Sequence, residues 1–160
     1  MHDVLLGLGS NSDPNTNLIT AIGRLGEFCS DIRPSPCYLT SAINRSHPDY
    51  LNLVVLVRTE LDLEPLLNKL KALEIAQGRQ KGILCTLDID LLCFDQCITS
   101  NNTITLPSED LERYAHALKP TSDLCPDRQH PVLGYTYIEL WNKKSAKLLE
   151  NQTLYPHPLV

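Results

Sequence analysis

The sequence lacks the features that mark membrane and nucleic-acid-binding proteins. No run approaches the ~20 consecutive apolar residues that a membrane span needs. Its 14 basic residues are outnumbered by 19 acidic ones, which gives a formal charge of −5. A chain with this balance and no run of Lys or Arg has no general attraction for phosphate backbones. We therefore expect neither a membrane nor a nucleic acid as a partner.

Patterns for disulfides, structural zinc and secretion are also missing. The chain has six cysteines at irregular spacing, without a CxxC pair: Cys29, Cys37, Cys85, Cys93, Cys97 and Cys125. This spacing argues against a zinc site and against a disulfide framework. The start, Met1-His2-Asp3-Val4, lacks the basic and apolar segments of a signal peptide. We therefore expect a cytoplasmic protein with reduced thiols.

Nothing in the sequence divides the chain into parts. It contains 160 residues, 42% of them hydrophobic. Neither an internal repeat nor a linker rich in Gly, Ser or Pro interrupts it. Because this length suits one hydrophobic core, we expect a single domain that spans residues 1–160.

Apolar periodicity predicts alternating strands and helices. Apolar runs at residues 4–8, 50–61 and 86–94 predict buried strands. Helical spacing behind Asp13 predicts a first helix, and helical spacing behind Asp62 predicts a second one, with each Asp as the N-cap.

Prolines and turn residues define the remaining elements. Pro34 and Pro36 restrict a further strand at residues 31–40 to an edge of the sheet. The turn signal at residues 100–102 predicts a hairpin, and we expect a less regular C-terminal third. The order β-α-β-β-α-β predicts an α+β, ferredoxin-like sandwich, with a mainly antiparallel sheet flanked by helices and a C-terminal hairpin extension.

Two aspartates on the predicted strand at residues 86–94 are the strongest chemical signal. Asp88 and Asp90 should stand side by side on one face of the strand, while Ile89 faces the other way. Adjacent carboxylates repel, and hard oxygen ligands suit Mg²⁺ that carries substrate phosphates. Two solvated aspartates on an exposed face are the alternative. Since Asp is disfavoured in strands, we favour the metal site.

Two other segments are candidates for phosphate binding. The sequence G-L-G-S-N at residues 7–11 lacks a full dinucleotide or P-loop pattern, so an ordinary strand-to-helix turn is the simpler interpretation. The second segment surrounds the end of the second helix and contains Lys71, Glu74, Arg79 and Lys81. Its cations either interact with the helix dipole or clamp a polyphosphate held by metal on the next strand.

Taken in order, these residues resemble the signatures of the 6-hydroxymethyl-7,8-dihydropterin pyrophosphokinase family. The matching segments are G-L-G-S-N at residues 7–11, P-D-Y-L-N at 48–52, Q-G-R at 77–79 and T-L-D-I-D-L-L at 86–92, together with Glu74. The resemblance runs from about residue 4 to residue 141. It implies the ferredoxin-like fold and the transfer of pyrophosphate from ATP to the hydroxymethyl group of the pterin in folate biosynthesis.

The resemblance also implies roles for individual residues. Asp88 and Asp90 are expected to be catalytic and to bind two Mg²⁺ ions that bridge ATP and the substrate hydroxyl, and Arg79 is expected to be catalytic as well. ATP is expected to contact Lys71, Glu74, Arg79, Lys81 and Leu91. The pterin is expected to contact Thr40, Ser41, Ile43, Tyr50, Asn52 and His116.

Three residues and one loop depart from the family pattern. Cys85 replaces an arginine that helps to neutralise the transferred phosphates, and His116 replaces an aromatic residue that stacks on the pterin. Ser108 replaces a histidine. The loop between Arg79 and Thr86 is shorter than the lid of the family. We expect Cys85 and the short loop to lower the activity.

Two further functions remain open as alternatives. A catalytically weak or inactive paralogue would bind pterin or nucleotide in a regulatory role. A ligand-sensing module of the same fold would not bind pterins at all. The sequence also leaves the oligomeric state open between a monomer and a weak dimer, because the edge strand near Pro34 could pair between chains.

Overall fold

A computed structural model describes all residues, 1–160, as an antiparallel sheet with helices on both faces. The elements are β1 (His2–Ser10), α1 (Pro14–Leu25), β2 (Ser30–Pro34), β3 (Tyr38–Thr40), β4 (Tyr50–Thr59), α2 (Leu63–Ala76), β5 (Asp88–Phe94), β6 (Thr99–Ser100), β7 (Thr105–Leu106), α3 (Asp110–Arg113), α4 (Ala115–Leu124), α5 (Tyr137–Asn151) and β8 (Leu154–Pro156). The main sheet has the order β5-β1-β4-β3-β8, and β2 also pairs with β4. None of the helices has the length and apolar character required to cross a membrane.

One face of the sheet packs against α1 and α2. The strand residues on this face alternate with residues of the opposite face, as a pleated strand requires. The helices contribute stripes at helical spacing, including Leu18 and Leu25 of α1 and Leu66, Leu70 and Leu73 of α2, and all five side chains are buried. The two helices predicted behind Asp13 and Asp62 are therefore confirmed.

The opposite face is apolar over only half of its length. Leu5, Val54 and Leu92 pack there against Leu118 of α4 and Leu140 of α5. Toward the other end of the same face, glycines and polar residues replace the apolar ones. The candidate site lies on this uncovered half.

A β-bulge changes the alternation of side chains between the two faces of the sheet along β5. Leu5 pairs with Cys93 whereas Leu6 pairs with Leu91, so Leu92 is the extra residue. Because the bulge resets the alternation, Phe94 returns to the core on the α1/α2 face. Asp88 and Asp90 keep their place on the other face.

Several predicted boundaries were wrong by a few residues. Strand β1 continues to Ser10, so most of the predicted turn at residues 7–11 is strand. Neither Asp13 nor Asp62 caps its helix through a side-chain hydrogen bond. Strand β5 begins at Asp88 rather than at residue 86.

The predicted edge strand is present in two short pieces. Strands β2 and β3 both pair with β4 and are separated by the segment that contains Pro36. Strand β8 pairs with the outer edge of β3. The edge at Tyr38–Thr40 is therefore occupied within the chain by β8.

The C-terminal third is more regular than the sequence suggested. It contains two helices of 10 and 15 residues, α4 and α5, and the strand β8. A capping box formed by Thr136 and Glu139 begins α5. The hairpin predicted from the turn at residues 100–102 forms between β6 and β7.

The end of α2 is a Schellman turn that sets the direction of the chain toward the site. Gly78 has a φ of +86°, its N–H donates to the carbonyl of Ile75, and the N–H of Arg79 donates to the carbonyl of Glu74. A left-handed residue costs little only when it is glycine. This turn returns Arg79 toward the last turn of α2.

We expect Gly78→Ala to destabilise the protein by about 1 kcal/mol, because alanine disfavours the left-handed conformation. Gly23→Ala is the matched control. A Cβ at either position meets no atom within 4 Å, and in the helix α1 the alanine should stabilise by roughly 0.5–1 kcal/mol. Urea unfolding of both variants measures the difference. Equal effects would contradict the role assigned to Gly78.

Candidate active site

Two glycines of β1 form the floor of the site. Gly9 lies between Asn52 of β4 and Asp88 of β5, and Gly7 lies between Val54 and Asp90. A Cβ at Gly9 would approach the Asn52 Oδ1 to 2.5 Å, a distance that requires something to move. Close approach of the neighbouring side chains, rather than an unusual φ, is therefore the reason for glycine here.

Three carboxylates meet at this floor, and we call Asp88, Asp90 and Asp110 the carboxylate cluster. Asp88 and Asp90 share one face of β5, as predicted, and Asp110 of α3 approaches from outside the sheet. Burial, followed by the charges of Asp88 and Asp110, raises the pKa of Asp90 to about 8. Burial and the charge of Asp88 also raise the pKa of Asp110.

Arg79 provides the positive charge beside the carboxylate cluster. Its Nη1 lies 3.0 Å from Asp88 Oδ1 and 3.1 Å from Glu74 Oε2, and it also donates to the carbonyl of Leu87 at 2.8 Å. The Schellman turn after α2 allows these contacts, since it places Arg79 next to Glu74. One guanidinium therefore connects the end of α2 with the beginning of β5.

Glu74 holds this arrangement against the sheet. Its Oε2 accepts a hydrogen bond of 2.8 Å from the backbone N–H of Ile89 as well as the one from Arg79. Burial raises the pKa of Glu74. Glu74 therefore fixes Arg79 in place, in addition to any contact with a ligand.

The remaining residues predicted for the nucleotide are spread around the cluster. Lys71 is exposed on α2, and Lys81 is exposed on the following loop, where its side chain forms no hydrogen bond or ion pair. Leu91 belongs to the core on the α1/α2 face, and it also lines an open groove of about 360 Å³ beside Asp90 and Asp110.

All six residues predicted to contact the pterin line one cavity of about 250 Å³, here called the His116 cavity. Its lining comprises Thr40, Ser41, Ala42, Ile43, Asn44, His47, Tyr50, Asn52, Asp88 and His116. Asp88 is also a member of the carboxylate cluster. The cavity and the cluster are therefore neighbours that share one carboxylate.

The polar wall of this cavity is organised by β3 and β4. Asn52 Nδ2 donates to Thr40 Oγ1 at 2.6 Å, and these two residues lie near the pairing of β3 with β4. The amide oxygen of Asn52 projects over Gly9. Ile43 is 62% exposed, which places an apolar side chain at the mouth of the cavity.

Cys85 is buried between the loop after α2 and the cavity. Its N–H donates to Asn11 Oδ1 at 2.6 Å, and its carbonyl accepts from the Ser10 hydroxyl at 3.2 Å. Asn11 also binds the carbonyl of Ile83. Residues 10 and 11 thus tie the short loop to the sheet. Burial raises the pKa of the Cys85 thiol, so the group is neutral at pH 7.

His116 forms the wall opposite the sheet residues. Its ring stacks on Tyr114 with 5.2 Å between centroids and an interplanar angle of 11°. Burial lowers the pKa of His116 to about 4, which keeps the imidazole neutral at pH 7. A neutral flat ring is suited to contact another flat ring.

The sequence did not reveal three polar residues near the site. Asp110 lies in a helix of only four residues. His47 lies in an irregular loop and lines the His116 cavity. Gln152 hydrogen-bonds His116 from the end of α5. A pattern search had no signal for these residues, because their partners are distant in sequence.

The oxygen donors suit a hard divalent cation. No group of three or more His, Cys, Asp or Glu side chains is assembled around one metal position. Asp88 and Asp90 nevertheless concentrate negative charge, since burial and then the charges of Asp88 and Asp110 raise the pKa of Asp90. Carboxylates combined with ligand phosphates are a usual coordination set for Mg²⁺.

Comparison with known proteins identifies the family. Residues 5–126 match the family model for 7,8-dihydro-6-hydroxymethylpterin-pyrophosphokinase (HPPK). The chain is 32% identical over 146 residues to a 2-amino-4-hydroxy-6-hydroxymethyldihydropteridine pyrophosphokinase of Synechocystis sp., which covers 87% of this chain and 74% of the relative. A protein of the same name from Pseudomonas aeruginosa is 30% identical over 136 residues, which covers 80% and 83%. The chain belongs to the 7,8-dihydro-6-hydroxymethylpterin-pyrophosphokinase family.

Solved structures support the fold. Wild-type HPPK-DHPS of Plasmodium falciparum with pteroate has a TM-score of 0.75 and 16% identity, covering 93% of this chain and 45% of that chain. Another wild-type structure of the same protein has a TM-score of 0.73 and 15% identity, covering 94% and 47%. The chain thus spans less than half of those longer chains. The predicted ferredoxin-like α+β sandwich is confirmed.

We expect Asp90→Asn to stabilise the metal-free protein at pH 7 and above. A carboxyl whose pKa rises from 3.8 to about 8 on folding binds its proton more tightly in the native state, so stability falls as pH rises from about 4 to about 8. The amide removes this loss. The gain should be on the order of 1 kcal/mol, or about 2–4 °C in Tm for a domain of this size.

Thermal unfolding between pH 5 and 9 measures this effect, and Asp127→Asn is the matched control because Asp127 is exposed and outside the cluster. The variant at Asp90 should show a weaker dependence of Tm on pH than the wild type, and the control should not. Parallel curves for all three proteins would contradict the assigned environment of Asp90.

Proposed function

We propose that this chain transfers pyrophosphate from ATP to the hydroxymethyl group of 6-hydroxymethyl-7,8-dihydropterin, the reaction of folate synthesis that the names of its relatives describe. One observation carries the proposal: the His116 cavity and the carboxylate cluster share Asp88. A pterin in the cavity would hold its hydroxyl next to the groups suited to a metal-bound nucleotide. Proximity of this kind supplies much of the catalysis in phosphoryl transfer.

Asp88 and Asp90 are the residues that would hold Mg²⁺, with two ions accompanying ATP. Bound Mg²⁺ neutralises phosphate charge and orients the attacking and leaving oxygens. In the reaction, the substrate hydroxyl oxygen forms a bond to the β-phosphorus of ATP, the bond from that phosphorus to the AMP oxygen breaks, and the hydroxyl proton is lost. Asp88 and Asp90 contribute by fixing both reactants on one side of β5.

Arg79 would act on the nucleotide side. Its guanidinium already binds Asp88 and Glu74, and phosphate oxygens are equivalent partners for the same donors. Lys71 and Lys81 are exposed cations on either side of the turn, and Leu91 reaches the groove beside Asp90. Glu74 keeps Arg79 oriented toward β5.

The His116 cavity would bind the pterin. Its volume of about 250 Å³ suits a small bicyclic ligand. Tyr50 and His116 supply flat rings for contact with the pterin ring, and Asn52 with Thr40 supplies polar groups for its edge. Ser41 and Ile43 complete the wall and the mouth.

The proposal treats residues 1–160 as one pterin pyrophosphokinase-like domain that acts in the cytoplasm. Both hydrophobic clusters pack against the same sheet, which supports a single folding unit. All six cysteines are unpaired, in agreement with a reducing compartment. Because β8 pairs with β3, only the β2 part of the predicted edge strand is left for pairing between chains.

AMP release from ATP and Mg²⁺ tests the function. We expect AMP formation to require 6-hydroxymethyl-7,8-dihydropterin, because pyrophosphate transfer produces AMP only when an acceptor is present. Asp88→Asn and Asp90→Asn should each lower turnover by at least about 10²-fold, the scale for the loss of one strong electrostatic contact. Asp127→Asn should keep the wild-type rate.

Two results would contradict the proposal. Absence of pterin-dependent AMP from folded wild-type protein, with a relative of known activity as the positive control, would favour a paralogue that only binds pterin or nucleotide. AMP formation at wild-type rates by both aspartate variants would contradict the metal assignment.

We further propose that Cys85 limits turnover, because this chain has a neutral thiol at a position where the family pattern has an arginine. The thiol lies beside Tyr50 and near Asp88 and Arg79. We expect Cys85→Arg to raise kcat by at least about 10-fold, since one added cation at transferring phosphates is worth up to about 10²–10³ in rate. Cys85→Ala, which adds no charge, should leave kcat unchanged. An equal response of the two variants would contradict this role.

A further inference from the structure

The C-terminal segment packs behind two lining residues of the His116 cavity, Ser41 and His116, although the family match ends at residue 126. Gln152 follows α5 and is only 8% exposed. The next residue, Thr153, donates its N–H to Ser41 Oγ at 3.0 Å, and β8 then pairs with β3. Contacts of the residues that follow therefore hold Gln152 against the cavity wall.

Three hydrogen bonds fix the orientation of the Gln152 amide. Its Oε1 accepts from the backbone N–H of His116 at 3.3 Å, and its Nε2 donates to the carbonyl of Ser41 at 3.3 Å. The reversed amide would place donor against donor and acceptor against acceptor at these two contacts. Nε2 also lies 2.7 Å from His116 Nδ1.

This orientation determines the tautomer of His116. Because Gln152 Nε2 is a donor only, Nδ1 of the neutral ring must accept, and the ring proton resides on Nε2. His116 Nε2 has no hydrogen-bond partner in the protein, and this atom is not buried. It is therefore accessible to a ligand. The ring therefore keeps one free N–H donor.

The residue that carries this donor lies where the cavity meets the carboxylate cluster. His116 lines the His116 cavity, and it also lines the small space over Gly7 and Gly9 that contains Asp88, Asp90 and Asp110. A pterin that is to react must place its hydroxymethyl end at this junction. That end carries acceptors, namely the hydroxymethyl oxygen and the neighbouring imine nitrogen of the dihydropterin ring.

We propose that Gln152 is a positioning residue, which holds His116 as the Nε2–H tautomer so that the ring donates a hydrogen bond to the reacting end of the pterin. The inference rests on the proposed function. Gln152 touches no reactant and acts through His116. A His116 ring oriented in this way selects for a ligand with a hydrogen-bond acceptor opposite Nε2. This selection adds to the flat-ring contact that a phenyl side chain would also supply.

The tautomer is measured in the free protein by long-range ¹H–¹⁵N correlation spectra of the histidine rings. We expect wild-type His116 to carry its proton on Nε2. Gln152→Met, which keeps the length of the side chain but has no amide, should give a mixture of both tautomers. Gln152→Glu should move the proton to Nδ1, because a carboxylate only accepts. Gln96→Met, at an exposed glutamine distant from His116, should leave the spectrum unchanged.

Kinetics then test the consequence for recognition. Gln152→Met should raise the KM for the pterin about 10-fold, the effect of one hydrogen bond of ordinary strength, and leave the KM for ATP unchanged. In a His116→Phe background, Gln152→Met should have no further effect on pterin KM, because the group through which it acts is gone.

Three results would overturn the proposal. The first is a wild-type His116 ring protonated at Nδ1, which requires no variant. The second is an equal rise of KM for pterin and ATP, and the third is a full effect of Gln152→Met in the His116→Phe background. A wild-type protein that lacks pterin-dependent AMP release would instead contradict the proposed function, and the spectra of the free protein distinguish that failure from a wrong role of Gln152.

Discussion

The site depends on the absence of a side chain at Gly9. Strand β1 lies between β4 and β5, with Asn52 on one side of Gly9 and Asp88 on the other. Any Cβ would collide with the Asn52 amide, which lies across the glycine. Because the position is empty of side chain, a polar amide and a carboxylate from two different strands face one shared space. The remaining features of the site either fill this space with charge or enclose it.

The charge in that space is unbalanced, and this imbalance follows from the fold. Three aspartates approach one another, whereas Arg79 is the one cation paired with any of them. The position of Arg79 depends in turn on the left-handed Gly78, which ends α2, and on Glu74, which is hydrogen-bonded to β5. A protein interior tolerates such an excess of negative charge at a cost in stability. A ligand that brings cations would relieve the cost, and in the proposed function the instability of the free site would become binding energy for a metal-bound nucleotide.

The sequence predicted the elements that local periodicity controls. The alternation around Asp88 and Asp90 correctly placed both carboxylates on one face, and the leucine stripe of α2 correctly marked its buried side. The residues that sequence reasoning missed are held by contacts between distant parts of the chain. Gln152 binds residues 36 and 111 positions away. Such pairings follow from the closed tertiary structure and leave no period in the sequence. Tertiary contacts also explain why β1 continues through Ser10, where a turn was predicted. Pairing with β4 and β5 overrides the turn preference of Gly-Ser-Asn.

The departures from the family pattern acquire a common physical meaning in the structure. At Cys85 a cation is replaced by a neutral thiol, and at His116 an apolar ring is replaced by a polar one. In the proposed assignment of the site, the first change would remove positive charge from the nucleotide side, whereas the second would add a hydrogen-bond donor on the pterin side. The polar ring is tolerated because Gln152 satisfies Nδ1 and burial keeps the imidazole neutral. The proposed roles of Cys85 and His116 would therefore shift the balance of interactions from the phosphates toward the pterin, on a scaffold whose glycine floor and aspartate pair are retained.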